Sequence, residues 1–333
     1  MATIRKIDDI NPIEGADAIE VATVGGWKVV VKKGEYKAGD LAVYCEIDSW
    51  IPSTVAPFLT KAGHFPKVYE GVEGERLKTV KLRGQLSQGL LLNLDNVIPE
   101  THSFAEGDDV SEYLNIRKWE PVIPAQLAGQ VKGNFPSLIP KTDQERVQNL
   151  VKELEGIGDM EFEITEKLEG SSMTCYLIDG EFGVCSRNMD LKRDENNSFW
   201  ATAIREDIEA KMRALGDGEW AIQGELIGPG IQGNIYKLSK TEYHVYDVYN
   251  VLAGDYLRPE YRRALIERMG LTHVPVLAMN KDLGTGEVGY ILEWAEGKST
   301  LNPKQEREGI VLKANNGGMT FKAISNKYLL GEK

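Results

Sequence analysis

The sequence predicts an α+β protein: a small β-barrel followed by a larger domain of antiparallel sheets and helices. Two observations predict this. Residues 1 to about 100 carry short β-rich runs broken by Gly-Gly, Lys-Gly-Glu and Ala-Gly-Asp turns. Beyond residue 134, strand patterns share the chain with stretches of helical spacing, the mixture of an α+β domain. A length of 333 residues allows two domains with full cores.

In the first part the β-rich runs are residues 18–24, 27–32, 41–47, 77–82 and 89–94. Five short strands in one small unit suggest a barrel of the OB type. The run 15–24, with Ser87-Gln88-Gly89-Leu90, resembles OB modules that bind tRNA; a purely structural barrel fits the same pattern. Arg76, Lys78, Lys81 and Arg83 fall within eight residues without an acid between them, just after Phe65 and Tyr69. Cations for phosphates and rings for bases are what a strand-binding groove needs. Lysines protecting an edge strand explain the same run.

Residues 111–133 are polar and interrupted by Pro121 and Pro124. The expected division is an OB-like RNA-binding domain over 1–115, a linker over 116–133 and a catalytic domain over 134–333. Thr142 or Asp143 is placed to cap a helix running to about residue 154. Strands are expected at 160–165, 172–178, 219–227, 243–251, 309–313 and 319–323, and helices at 198–215 and 259–269.

Composition narrows the classes. A net charge of −12 argues against binding nucleic acid through overall positive charge, though not against a local basic groove. No apolar run reaches the roughly 20 residues needed to span a bilayer. The N-terminus lacks the apolar core of a signal peptide, so a cytoplasmic location is expected. Cys45, Cys175 and Cys185 have no C-x-x-C spacing and read as buried free thiols; the four histidines show no ligand spacing. The run 228–233 spells G-x-G-x-x-G but no helical pattern follows, and Gly297-Lys298-Ser299 lacks the first glycine of a phosphate loop.

One stretch organises the second part. Lys167 follows a strand and precedes a turn closing at Gly170, with Glu166 and Glu169 beside it. Alone, this reads better as a salt-bridged hairpin lysine than as a nucleophile. After it come Cys185-Ser186-Arg187-Asn188, then Gln223-Gly224-Glu225-Leu226, then His244-Val245-Tyr246-Asp247. Glu308-Gly309-Ile310-Val311-Leu312-Lys313 and Thr320-Phe321-Lys322-Ala323 complete the series. In order, type and spacing this resembles motifs I, Ia, III, IIIa, IV and V of the covalent nucleotidyltransferases, the superfamily of polynucleotide ligases and capping enzymes with an ATP-grasp-like catalytic domain.

The resemblance implies that Lys167 is the nucleophile that becomes adenylylated. Lys322 would contact the α-phosphate, Lys313 would be a second basic contact, and Arg187 would reach the ribose or an incoming 5′-phosphate. Tyr246 would stack on the purine, a role for which core packing is the alternative, and Glu166 and Gly170 would shape the nucleotide pocket. Glu225 and Glu308 would hold Mg²⁺, with Mn²⁺ as an alternative ion; one or two carboxylates suffice for it. An attacking amine must be unprotonated, and Lys313, Lys322 and the metal are expected to lower the pKa of Lys167. Two positions depart from many nick-sealing ligases: Ile324 where a second lysine stands, and Ser172 where an asparagine stands.

Eleven residues follow Lys322, so the OB module is expected to come first. This arrangement resembles the RNA ligases of the Deinococcus and Naegleria type, which residues 139–143 and 325–328 fit as well. The implied function is ATP-dependent joining of RNA 3′-OH and 5′-phosphate ends, in a nicked duplex or free, by a monomer with no membrane partner. A DNA ligase, a GTP-using capping enzyme and a non-catalytic RNA-binding protein are the alternatives.

Overall fold

Alternation of buried and exposed residues makes the first strands. In Trp27–Lys32 the residues Trp27, Val29 and Val31 turn inward while Lys28 and Lys32 stay outside. The computed structural model describes residues 1–99, 102, 104–120 and 129–331. It contains two compact units: residues 1–122 with 148–151, and residues 123–147 with 152–333.

In the first unit Leu41–Cys45 pairs with Ala2–Lys6 on one side and Leu90–Asn93 on the other. Asp9–Pro12, Ile19–Val24 and Trp27–Lys32 form a meander. Ser49–Pro52 and Val72–Arg76 anchor a further sheet with Lys67–Tyr69 and Arg117–Lys118. Ile4, Val43, Ile51, Leu92, Val110 and Ile116 meet in the core. The strand expected at 77–82 is divided. Leu77 is buried, and Val80–Leu82 pairs with Gln85–Ser87 across an Arg83-Gly84 turn whose residues have φ of 50° and 82°. Two positive φ values are what a tight hairpin turn requires.

Residues 148–151 join this unit through a close approach at Gly26, where a Cβ would stand 2.7 Å from Gln148 Cα. Asn149 then accepts a hydrogen bond from the Trp27 indole at 2.7 Å. The helix expected from Thr142 or Asp143 to residue 154 is therefore absent. Glu145–Arg146 is a short strand, a 3₁₀ turn covers Val147–Asn149, and only Val151–Glu155 is α-helical. Of the linker expected over 116–133, Arg117–Lys118 and Val131–Asn134 are strands, and 121–128 lie outside the described residues.

The second unit is built on two sheets. The larger runs Val131–Asn134, Met189–Leu191, Glu181–Cys185, Ser171–Ile178, Trp220–Ile227, Glu242–Asn250, Asp255–Tyr256, with Thr272–His273 beside Glu242–Asn250. Ser198–Arg205 and Ile208–Arg213 cover it, packing Trp200, Ile208 and Met212 on Met173, Ile222 and Val245. These are two helices where one was expected, separated at Asp207, whose φ of 52° cannot continue a right-handed helix. The smaller sheet runs Glu145–Arg146, Thr320–Ile324, Gly309–Ala314, Glu161–Lys167, Val276–Asp282. Glu145–Arg146 is parallel to its neighbour, and the other pairs are antiparallel.

Candidate active site

Strand alternation gathers the motif residues. In the smaller sheet Glu163 faces Lys313, Lys167 faces Gly309, Val311 faces Lys322, and Lys322 lies beside Arg146. Residues directly opposite share a face. Glu163, Thr165, Lys167, Lys313, Lys322 and Arg146 therefore lie on one side, and Phe162, Ile164, Ile310, Leu312 and Phe321 on the other. Glu166 falls with the latter group. Its carboxylate accepts from the Thr300 amide at 2.8 Å, so its side chain is not directed at Lys167.

Gly170 brings the larger sheet to the lysine turn. A Cβ on it would stand 2.4 Å from the Leu226 carbonyl oxygen and 2.9 Å from Glu225 Cγ. The turn therefore lies against the Glu225 strand, and the Gly170 amide donates to the Glu225 carboxylate. Glu308, immediately before Gly309, reaches the same place: its Oε1 is 2.6 Å from Lys167 Nζ. Lys167 thus stands between two carboxylates supplied by separate strands.

The chain's own side chains act on Lys167 against the expected lowering of its pKa, which the resemblance assigns in part to the metal. Burial favours the neutral amine, but Glu308 and Glu225 outweigh it and hold the pKa above its ordinary value. The neighbouring lysines behave oppositely. Burial pulls Lys322 down to about 8, against the raising effect of Asp143. Lys313 is likewise pulled to about 8 by burial, although it is paired with Asp247. Glu225 is pushed up to about 8, first by burial and then by the charge of Glu308, with Lys167 opposing. An excess of carboxylate at Lys167 is a setting that a cation relieves. Among the described residues no three His, Cys, Asp or Glu side chains cluster for metal binding. Two carboxylates fit an ion that retains waters and shares phosphate oxygens.

Residues 139–143 border this region. Thr142 and Ser172 hydroxyls lie 2.9 Å and 3.1 Å from the Tyr246 hydroxyl, so Ser172 serves to fix the tyrosine. Lys313 donates to the Tyr246 carbonyl at 2.8 Å. Asp143 joins Lys322 at 3.2 Å and Arg187 at 3.3 Å. The structure thereby brings together Lys167, Glu225 and Glu308, and, through Asp143, Lys322 and Arg187. Sequence reasoning gave Asp143 only a capping role and overlooked Arg146. Ile324 is buried opposite Gly309.

In the first unit the basic run is not one patch. Arg76 binds Asp48 at 2.5 Å and stacks on Trp119, 3.8 Å from its ring centre. Lys78, Lys81 and Arg83 are exposed on and beside the hairpin. Phe65 is 94% exposed, whereas Tyr69 is buried between Trp50 and Trp119.

Comparison with known proteins decides the family. A model of an OB-fold domain matches residues 1–94, and a model of RNA ligase matches residues 160–327, half of the chain. The chain belongs to the RNA ligase family. Solved structures agree along its length. A mutant Naegleria gruberi RNA ligase with ATP and Mn is 44% identical, with 98% of each chain covered and a TM-score of 0.91. The same ligase with PPi is 44% identical over 98% of this chain and 97% of that one, at 0.90. Another mutant, with AMP and Mn, matches at 44% over the same shares, at 0.91. A comparison with curated proteins gave no match. The expected order, an OB fold followed by a ligase domain, is the one found. Among the described residues no helix is long and apolar enough to cross a membrane.

Proposed function

We propose that this RNA ligase uses ATP to join RNA ends through Lys167. The convergence of Lys167 with Glu225 and Glu308 carries the reading, and the related ligase solved with ATP and Mn supports it. Lys167 Nζ, once deprotonated, attacks the α-phosphorus of ATP; a phosphoramidate N–P bond forms and pyrophosphate leaves. An RNA 5′-phosphate oxygen then attacks that phosphorus, releasing Lys167 and giving an RNA-adenylate. The 3′-OH attacks the RNA phosphate, forming the phosphodiester and releasing AMP.

A divalent cation, Mg²⁺ or Mn²⁺, held by Glu225 and Glu308 supplies positive charge to the phosphates and offsets the carboxylates that keep Lys167 protonated. Lys322 and Arg187 exchange Asp143 for phosphate oxygens, Lys322 at the α-phosphate. Tyr246, fixed by Thr142 and Ser172, carries the purine, and Lys313 beside it adds the second basic contact. Gly170 lets the nucleophile's turn lie against Glu225. Glu166 acts from the far side of the strand, by holding the segment at Thr300.

The same reading covers the rest of the chain. The first unit, residues 1–122 with 148–151, holds the strand, and the second, residues 123–147 with 152–333, adenylylates; Lys78, Lys81 and Arg83 contact phosphates, while Arg76 orders their base. A nicked duplex presents both ends already adjacent and asks least of the protein. Three buried free thiols suit a monomer working in a reducing cytoplasm. Incubation with α-labelled ATP and Mg²⁺ tests the reading: wild type becomes labelled and Lys167→Ala stays dark. Equal labelling by GTP, or a labelled mutant, overturns it.

A further inference from the structure

Gln223 is buried beside the proposed purine carrier, and one end of its amide is uncommitted. It stands on the strand Trp220–Ile227, two residues before Glu225, so alternation directs both side chains to one face. On the neighbouring strand Asp247 is opposite Gln223, while Val245 is opposite Gly224. Tyr246 is thus the extra residue of a β-bulge, an irregularity in which two residues oppose one and a side chain is re-aimed. Val245 and Val248 pack in the core beneath the helices. Asp247 instead pairs with Lys313, and the Tyr246 hydroxyl meets Ser172, which lies opposite Glu225. Gln223 therefore shares its face with Tyr246 and Asp247 and is their direct neighbour across the strands.

The orientation of the Gln223 amide is fixed. Its Nε2 donates to the Pro140 carbonyl at 2.9 Å, and a carbonyl only accepts, so the nitrogen and not the oxygen must stand there. The residue is 1% exposed, and among the described residues Oε1 has no hydrogen-bond partner. A buried acceptor left unpaired is costly. Pro140 lies two residues before Thr142, whose hydroxyl is 2.9 Å from that of Tyr246. One short segment therefore holds both the amide and the tip of the ring.

We propose that Gln223 determines the choice of nucleotide: its Oε1 accepts a hydrogen bond from the 6-amino group of an adenine carried on Tyr246. Adenine presents a donor at that position, whereas guanine presents an acceptor, its O6. Guanine sets oxygen against oxygen, and turning the amide to offer its nitrogen gives up the bond to Pro140. The site discriminates because only one of the two bases satisfies its buried group. The inference rests on the reading that Tyr246 carries the purine of ATP, and it adds which side chain reads the base.

The test compares α-labelled ATP with purine riboside 5′-triphosphate, which lacks only the 6-amino group, in full-length protein with Mg²⁺. Wild type captures nucleotide from ATP with a kcat/KM about tenfold or more above that for the analogue, the scale for a buried acceptor deprived of its donor. In Gln223→Met the preference falls to near unity. The ratio is taken within one protein, so a general loss of fold or of lysine reactivity cancels from it. Gln223→Thr, small and suited to a strand, serves in the same way if the Met variant does not fold. A wild type that makes no distinction overturns the proposal without any variant, and so does a folded variant that keeps the preference. The same preference appears in equilibrium binding of the two triphosphates to Lys167→Ala, where no bond forms; equal affinities, or none, overturn it. Failure of the adenylylation reading shows separately, as unlabelled wild type or labelled Lys167→Ala.

Discussion

Lys167 Nζ lies 2.6 Å from Glu308 Oε1, an ion pair between the proposed nucleophile and a proposed metal ligand. The pair opposes the reaction in the chain alone, because Glu308 and Glu225 favour the ammonium form over the burial that disfavours it. Replacing Glu308 should therefore have two opposite effects. In Glu308→Ala the proton on Lys167 is held less firmly, so the amine reacts faster with a small neutral acylating reagent at fixed pH. AMP capture nevertheless falls by about 10²-fold or more, the scale for losing a preorganised electrostatic contact. Glu225→Ala should lose a similar amount. Near-normal capture and metal dependence in both variants would remove them from the metal site.

Asp143 sets a second prediction. It raises the pKa of Lys322, which burial nevertheless holds down at about 8. In Asp143→Asn the lysine loses its proton at lower pH. The alkaline limb of kcat/KM for AMP capture should move down in Asp143→Asn, while the acid side changes little. A limb that stays in place would show that Lys322 does not need its charge for capture.

Much of this site was readable as residue types at odd spacings. Glu163, Thr165 and Lys167 on one strand and Lys313 on the next must share a face once the strands pair. The same rule sends Glu166 to the other face, which its position next to the nucleophile disguised. Asp143 was misread because its partner Lys322 is 179 residues away, while a local capping role needs only the neighbouring sequence. Residues 148–151 were assigned to the wrong unit for a related reason: the glycine that admits them, Gly26, is more than a hundred residues earlier. The carboxylates that act on Lys167 were not legible locally, because Glu225 and Glu308 stand far along the chain from it. Local sequence gives the face a side chain occupies; long-range pairing gives its electrostatics.

His273 predicts an acid weakness. It accepts from Arg262 and donates from Nδ1 to the Val274 carbonyl, and burial with the Arg262 charge depresses its pKa to about 4. The unfolded chain binds a proton near pH 6.5 that the folded chain refuses until about pH 4. Between those values the unfolded state holds more protons, so stability falls as pH falls through that window. Urea midpoints at pH 7 and pH 5 should show the loss in wild type. His273→Gln, which keeps an acceptor but does not titrate, should lose less; an equal loss would assign the acid sensitivity elsewhere.

The last prediction concerns the first unit. Lys78, Lys81 and Arg83 are exposed, whereas Arg76 is stacked on Trp119 and paired with Asp48. Reversing charge at these four positions should therefore give two phenotypes. Arg76→Glu places a carboxylate beside Asp48 and removes the stacked guanidinium, so it should lower the melting temperature. Glutamate at Lys78, Lys81 and Arg83 should leave the fold and AMP capture intact, since all three are exposed and none belongs to the residues proposed for adenylylation. Sealing also requires the strand to be held in line, and a misplacement of about an ångström costs about 10²-fold. The triple variant should therefore seal poorly while still labelling with ATP. Each lost phosphate contact should also lower the slope of log binding against log salt by about 0.7 for a single strand and about 0.9 for a duplex. Measuring RNA binding across salt concentrations with wild type and the triple variant separates this from edge-strand protection. An unchanged slope with unchanged sealing would leave the three cations as guards of the hairpin edge and place the strand contact elsewhere on the OB fold.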